Sequence, residues 1–309
     1  MSVGILADED ARRLSRRDNQ GCGMAGTKSR QEDPWPALPR QTRRRTVANI
    51  FACGLAALLA AIAWLIWRSG DSAAGVVAKY VALFGFSWVL MIVMALYAEP
   101  WFHRRASVRS GLADGQLATV VPGSAMYFGL FQAIWTSYAI LAYLAAAEIA
   151  AAAWISYLPV AVLLLLAAGT AAASAPALTA AGRLRPGGIA LTPDGLVVRG
   201  WSSRTTLRWT EITQLRCTFD RMPLLDIVGT ATTHWHRHDL TPSITFRGTR
   251  RQIWMLDRPP HRSCVVLECP RFAVDRRKLH RYLTYYLENP SARAELGTHT
   301  ALERWTGFG

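Results

Sequence analysis

The chain has 309 residues, 51 % of them apolar and 18 % charged, with a formal net charge of +14. Apolar residues bunched at so low a charge density exclude an ordinary pair of soluble domains and point to a bilayer. The excess charge lies outside the apolar block: ten basic and six acidic residues give +4 over 1–45, five and four give +1 over 46–182, and twenty and eleven give +9 over 183–309. Near a membrane surface each basic residue gains about 1 kcal/mol from anionic lipid. A lipid surface therefore accounts for the charge, and a nucleic-acid partner is not expected.

Residues 1–45 mix acidic, basic, glycine and proline residues without apolar periodicity, which predicts a disordered basic tail up to about Thr42, with Arg43, Arg44 and Arg45 at the membrane face. The segment lacks the apolar core of a cleavable signal. Arg16-Arg17 is followed by Asp18, Asn19 and Gln20, which does not suit a twin-arginine signal. Met24 is an alternative start. The five cysteines are an odd number and Cys53 falls in an apolar run, so no disulfide framework is suggested and the soluble parts fit a reducing side.

Four stretches approach the twenty or so apolar residues that a membrane-crossing helix needs: 47–67, 74–97, 125–147 and 154–173. Arg104, Arg105 and Arg109 lie between the second and third, and Arg183 and Arg185 follow the fourth, whereas the other links are poor in basic residues. The positive-inside rule then places both termini in the cytoplasm, in a multi-pass protein of the cell membrane. Trp64, Trp67, Tyr97, Trp101, Trp154 and Tyr157 fall near predicted interfaces as anchors. Lys79 and Glu148 lie near the outer ends of their spans, where long side chains reach the headgroups; a pair across the bundle is the alternative. Gln132, Thr136 and Ser137 read as packing contacts between helices. Pro159 falls in the first turns of the fourth span, where its missing N–H costs little. The thin polar inventory and the lack of an inverted repeat make a small transporter, or a transporter subunit, the second reading.

The link Glu99–Ser124 carries Trp101, Phe102, His103, Arg104 and Arg105, and Trp101, Arg104 and Arg105 are its candidate membrane-surface residues. Gly111–Gly115 is too short for a phosphate loop and has no following lysine.

From Gly187 the pattern changes to short strands. Candidates are 189–192 and 195–199 around a Pro193-Asp194 turn, then 205–209, 212–219, 226–232, 243–247, 252–256 and 264–268. Leu279, Tyr282, Leu283, Tyr286 and Leu287 follow helical spacing, with Asp275 as cap and Asn289-Pro290 as stop. The expected fold is a membrane α-helical bundle of four transmembrane helices plus a C-terminal α+β domain over 183–290, with 291–309 as a tail. In that domain a curved antiparallel sheet or barrel is closed by one helix.

The stretch GIALTPDGLVVRGWSSRTTLRWTEITQL (Gly188–Leu215), the closing helix and YLENPSARAELGT (Tyr286–Thr298) resemble bacterial, largely actinobacterial, uncharacterised membrane proteins with a pleckstrin-homology-like domain. The resemblance covers about the last 120 residues of the chain. It implies that fold and a habit of binding membranes or partners, and it brings no catalytic residue.

Arg276, Arg277 and Lys278 occupy the first turn of the C-terminal helix, where the macrodipole disfavours cations by a few tenths of a kcal/mol each. Anionic headgroups or an acidic partner would compensate, which makes these three and Arg281 the candidate contacts. His234, His236 and His238 alternate on one strand face with Asp239 adjacent, a spacing that can bind zinc; a solvated polar loop is the other reading. Nucleophile elbow, Walker loop and His-Glu-x-x-His motifs are missing and the carboxylates are scattered, so neither an enzyme nor a cofactor is expected. The reading is a membrane-anchored adaptor or scaffold whose cytosolic domain binds anionic headgroups or a protein partner.

Overall fold

The computed structural model describes residues 34–35, 39–69, 72–98, 106–151, 158–220, 222–230, 235–246, 248–260 and 264–308. Four helices, α1 (Pro39–Arg68), α2 (Ser72–Tyr97), α3 (Ala125–Ala151) and α4 (Leu158–Ala180), are long and apolar enough to cross a membrane. Their outer faces carry exposed Phe51, Trp64, Leu65, Val77, Phe86, Leu163 and Leu164, an exterior suited to lipid rather than water. Polar contacts between spans include a hydrogen bond of 2.8 Å shared by Ser87 and Ser137 and one from the indole of Trp88 to the carbonyl of Ala52. The described part of the fourth span begins at Leu158, with Pro159 in a first-turn position that suits it, and the expected start at 154 lies outside the described residues. Helix α1 starts at Pro39, so its first eight residues extend about 12 Å beyond the apolar stretch that begins at Val47.

The largest departure from expectation is the link between the second and third spans. It forms a hairpin, β1 (Arg109–Ala113) and β2 (Gln116–Pro122), whose two-residue turn Asp114-Gly115 has positive φ at both positions, +51° and +80°. Asp-Gly is the combination that such a primed turn favours. The stretch that fails as a phosphate loop is therefore a hairpin signal. Strand β2 pairs with β3 (Gly188–Leu191), and the sheet continues through β4 (Gly195–Arg199), β5 (Ser203–Arg208) and, later in the chain, β8 (His236–Asp239), all antiparallel. Thr119 pairs with Leu191 and Pro122 with Gly188.

A second sheet orders β11 (Cys264–Glu268), β7 (Met222–Gly229) and β6 (Ile212–Asp220), and a two-stranded ribbon joins β9 (Ser243–Phe246) to β10 (Thr249–Gln252). Of the two expected forms, curved sheet or barrel, no barrel closes among the described residues: the added hairpin lengthens the first sheet at the edge of β3. Residues 253–256, expected in a strand, form a loop because Trp254 and Leu256 are drawn into the foot of the bundle.

Alternation builds the soluble core. Ile189, Leu191, Leu196, Val198 and Leu207 face it from one sheet, and Leu225, Ile227, Val265 and Leu267 from the other. Helix α5 (Arg276–Glu288) adds Leu279, Tyr282, Leu283 and Tyr286, all essentially inaccessible, so each contributes about 1.5–3 kcal/mol of burial. Asp275 caps α5 as expected, its carboxylate accepting from the amides of Arg277 (2.8 Å) and Lys278 (3.1 Å). The stretch 291–309, read from the sequence as a tail, instead lies in a 3-10 segment (Pro290–Glu295) and α6 (His299–Gly307); Leu296, Ala301 and Trp305 are buried in the core. The indole of Trp305 packs edge-on against Tyr282 at 5.0 Å.

The core also holds Trp35, 4 % exposed, whose indole N–H donates to the carbonyl of Leu224 at 2.8 Å. The segment before the first span, expected to be disordered, thus contributes to the domain at this position, because a large indole gains more by burial than the chain loses by ordering. Residues on both sides of the bundle's sequence therefore meet in one soluble unit, formed by Trp35, the 106–124 link and everything after α4.

Gly123 joins these parts. Its amide donates to the carbonyl of Gly187 at 3.3 Å, and a Cβ there would lie 2.1 Å from the carbonyl oxygen of Pro186. Substitution Gly123→Ala should push the hairpin off β3 and cost about 1–3 kcal/mol, read as a lower unfolding midpoint in tryptophan fluorescence of the full chain.

Candidate functional site

The soluble unit is fastened to the bundle by two tryptophans and one carboxylate. Trp201, in the turn between β4 and β5, inserts among Tyr127, Phe128 and Phe131 of α3 at centroid distances of 5.7, 5.2 and 5.1 Å. Trp254 stacks edge-on against Trp135 at 4.7 Å, and its indole N–H donates to Ser174 Oγ of α4 at 2.8 Å. Ser124 caps α3 through its hydroxyl, which accepts from the amide of Tyr127.

Asp257 holds both tryptophan loops. Its Oδ1 accepts from the amide of Trp201 (2.9 Å) and from Arg271 Nη1 (2.7 Å); its Oδ2 accepts from the amide and hydroxyl of Ser202 (2.7 and 2.9 Å) and from the hydroxyl of Ser203 (2.9 Å). Arg271 donates further to Glu268 (2.6 Å) and to the carbonyl of Leu256 (2.7 Å), and lies 4.4 Å over the ring of Trp201. Burial alone would raise the pKa of Asp257, but the Arg271 guanidinium and the donors from Ser202, Trp201 and Ser203 outweigh it and hold the carboxyl below its ordinary value. A carboxylate saturated by five donors is a clamp and a poor general base. Ser202 and Ser203 give their protons to it instead of being activated by it.

Beside this clamp is a cleft of about 50 Å³, lined by Gly188, Arg199, Ser203, Asp257, Glu268 and Arg271 among others, with room for a water or two. Burial and the neighbouring guanidiniums of Arg185 and Arg204 press Arg199 below its ordinary pKa. Arg199 and Arg204 are also direct cross-strand partners, a like-charge placement that costs stability. Arg204 is relieved by an ion pair with Asp114 of the hairpin turn.

No family model matches this chain, and no curated protein or solved structure matches it either. The reading of the site therefore rests on its geometry.

The predicted contact residues divide into two kinds. Arg276 lies 4.9 Å over the ring of Trp35 and Lys278 5.1 Å over Trp305, so cation–π contacts inside the protein offset part of the macrodipole penalty in this turn. Arg277 is exposed, and Arg281 partly so. His236 and His238 sit on the exposed face of β8, while His234, Trp101, Arg104 and Arg105 lie outside the described residues. Among the described residues no three His, Cys, Asp or Glu side chains converge as metal ligands.

Sequence reasoning missed Asp257, Arg271, Trp201 and Trp254. A lone Asp and Arg fourteen positions apart across a loop leave no periodic signal, although two tryptophans in short polar loops beside a membrane domain are a usable one. Lys79 and Glu148 form the ion pair weighed as the alternative to separate snorkelling, and Tyr80 Oη also donates to Glu148 at 2.7 Å. Of the polar residues in the third span, Ser137 finds its partner on α2, whereas both amide atoms of Gln132 are buried without one.

Proposed function

We propose that this protein is a membrane-anchored adaptor whose soluble unit, a pleckstrin-homology-like domain enlarged by the hairpin of the second link, reads anionic headgroups with the basic start of α5. The observation that carries this reading is a set of three backbone hydrogen bonds. Ser124 donates to the carbonyl of Arg271 (2.6 Å), Ala273 to Pro122 (3.0 Å) and Ala106 to Ala273 (3.2 Å). They tie the strand leading into α5 to the foot of the third span. Three residues of extended chain reach at most about 10 Å, so Arg276 starts within about one Debye length of that foot, where lipid charge is still felt.

The arginines of the second link and those following α4 support a cytoplasmic setting for this face, with both termini cytoplasmic in the cell membrane. The turn between β3 and β4, the Trp209-Thr210-Glu211-Ile212 element and the helix α5 support the pleckstrin-homology-like reading.

Hydrogen exchange of the full chain in nanodiscs tests the proposal. Amides at the start of α5 should be better protected in anionic than in zwitterionic bilayers. Reversing two of these cations, Arg277→Glu with Arg281→Glu, should remove the difference, at about fivefold per arginine for ~1 kcal/mol each. Equal protection in both bilayers, insensitive to salt, would leave a protein partner as the target.

A further inference from the structure

We propose that the helix bundle seats one acyl chain of a phospholipid in a cleft one leaflet deep, with Lys79, Tyr80 and Glu148 at its mouth. The cleft measures about 690 Å³ and draws on all four spans, with Leu59, Phe84, Trp135, Ala142, Ala168 and Ala172 among its walls. Facing alanines usually let helices close together. Here they leave an open apolar groove instead. Along α3 it runs from Ala145 to Trp135, ten residues or about 15 Å, which is half of the ~30 Å hydrocarbon core.

The dimensions and chemistry select the occupant. Walls with so little polar surface do not hold water. An acyl chain is the material that surrounds a membrane-spanning bundle, and one leaflet's depth of chain matches a groove about 15 Å long.

The mouth supplies the polar end. Glu148 lies one turn beyond Ala145, at the end of α3 remote from the soluble unit, and pairs with Lys79. Tyr80 belongs to both regions, lining the groove and donating to Glu148 at 2.7 Å. An ammonium has three hydrogens, and the side chain of Lys79 is 38 % exposed, so it can also meet a phosphate oxygen. At the other end the floor is Trp135, which touches Trp254 of the soluble unit at 4.7 Å. The end of the seated chain thus meets the ring pair that fastens the domain.

Native mass spectrometry of the full chain, washed in mild detergent, should show one phospholipid retained per protein. Ala142→Phe, which places a ring in the groove, should lower that retention at least tenfold, whereas Leu163→Phe on the lipid-facing surface, where Leu163 is 65 % exposed, should leave it unchanged. A second measurement needs no variant: a phospholipid with a photoactivatable group on its acyl chain should label wild-type protein mainly at Phe84, Trp135 and Ala168. Retention indifferent to Ala142→Phe in a folded protein, or label spread as heavily over Val160 and Leu163 as over the groove, would overturn the proposal.

Discussion

A fragment comprising residues 183–309 alone should fail to unfold cooperatively, although it contains every strand and helix that the sequence places in the C-terminal domain. It lacks β2, whose Ala118, Thr119 and Val121 are fully buried, and it lacks Val108 and Trp35 of the core. Loss of the indole alone is worth about 3–5 kcal/mol and loss of Val121 about 1.5–3. Together these approach the 5–15 kcal/mol that holds a typical domain folded. The fragment would also bare the edge of β3, a template for aggregation. Restoring 106–124 should rescue it in part, Trp35 still being absent. Because Gly123 and Gly187 are hydrogen-bonded neighbours, a short Gly/Ser linker can replace residues 125–182. Circular dichroism in mild detergent, which covers Trp201 and Trp254, should show a cooperative transition for the fusion and none for the fragment. A fragment that melts as sharply and as high as the fusion would mean that the hairpin is an accessory to the sheet.

Asp257→Asn should be the most damaging single substitution at the junction. It removes one of the two carboxylates that hold Arg271 beside Trp201, leaving Glu268, and breaking a buried pair in this way costs up to about 3–5 kcal/mol. The wild-type contribution carries its own pH signature. The pKa of Asp257 is lower in the folded protein than the ordinary value near 3.9 that it takes when unfolded. Its stabilisation is therefore complete above about pH 4 and is lost as pH falls through the folded value. Thermal unfolding of the full chain across pH 2–7 should show this loss in the wild type and a flatter profile in Asp257→Asn. Parallel profiles would assign the acid sensitivity to other carboxylates.

The elements with strong periodicity were legible. The spans follow from unbroken apolar runs, the β3–β4 hairpin from Pro193-Asp194 between alternating residues, and α5 from its Leu279–Leu287 stripe between Asp275 and Pro290. The hairpin at 109–122 carried a clear Asp-Gly turn, but its stretch Leu117–Val121 sets an exposed Leu117 beside the buried Ala118, Thr119 and Val121 and lacks polar-apolar alternation. Beside two membrane spans it read as flank. Residues 290–307 escaped for a different reason: a 3-10 segment and a nine-residue helix are too short for a periodic stripe, and Trp305 becomes a core residue only once Tyr282 faces it. The clamp was illegible, since the charges of Asp257, Glu268 and Arg271 acquire meaning only when the loop folds back onto the β4–β5 turn.

The continuity of β2 with β3 also sets an order of events during synthesis. Residues 123–187 separate the two strands, and they include the whole of the third and fourth spans. At ~5–20 residues per second the finished hairpin waits roughly 3–13 s with its pairing edge open before β3 emerges. If only one of the intervening spans inserted, β3 would surface on the opposite side of the bilayer and the six-stranded sheet could not form. The sheet therefore works as a built-in check of topology: a soluble unit that has folded excludes the insertion of only one of the two helices between its strands.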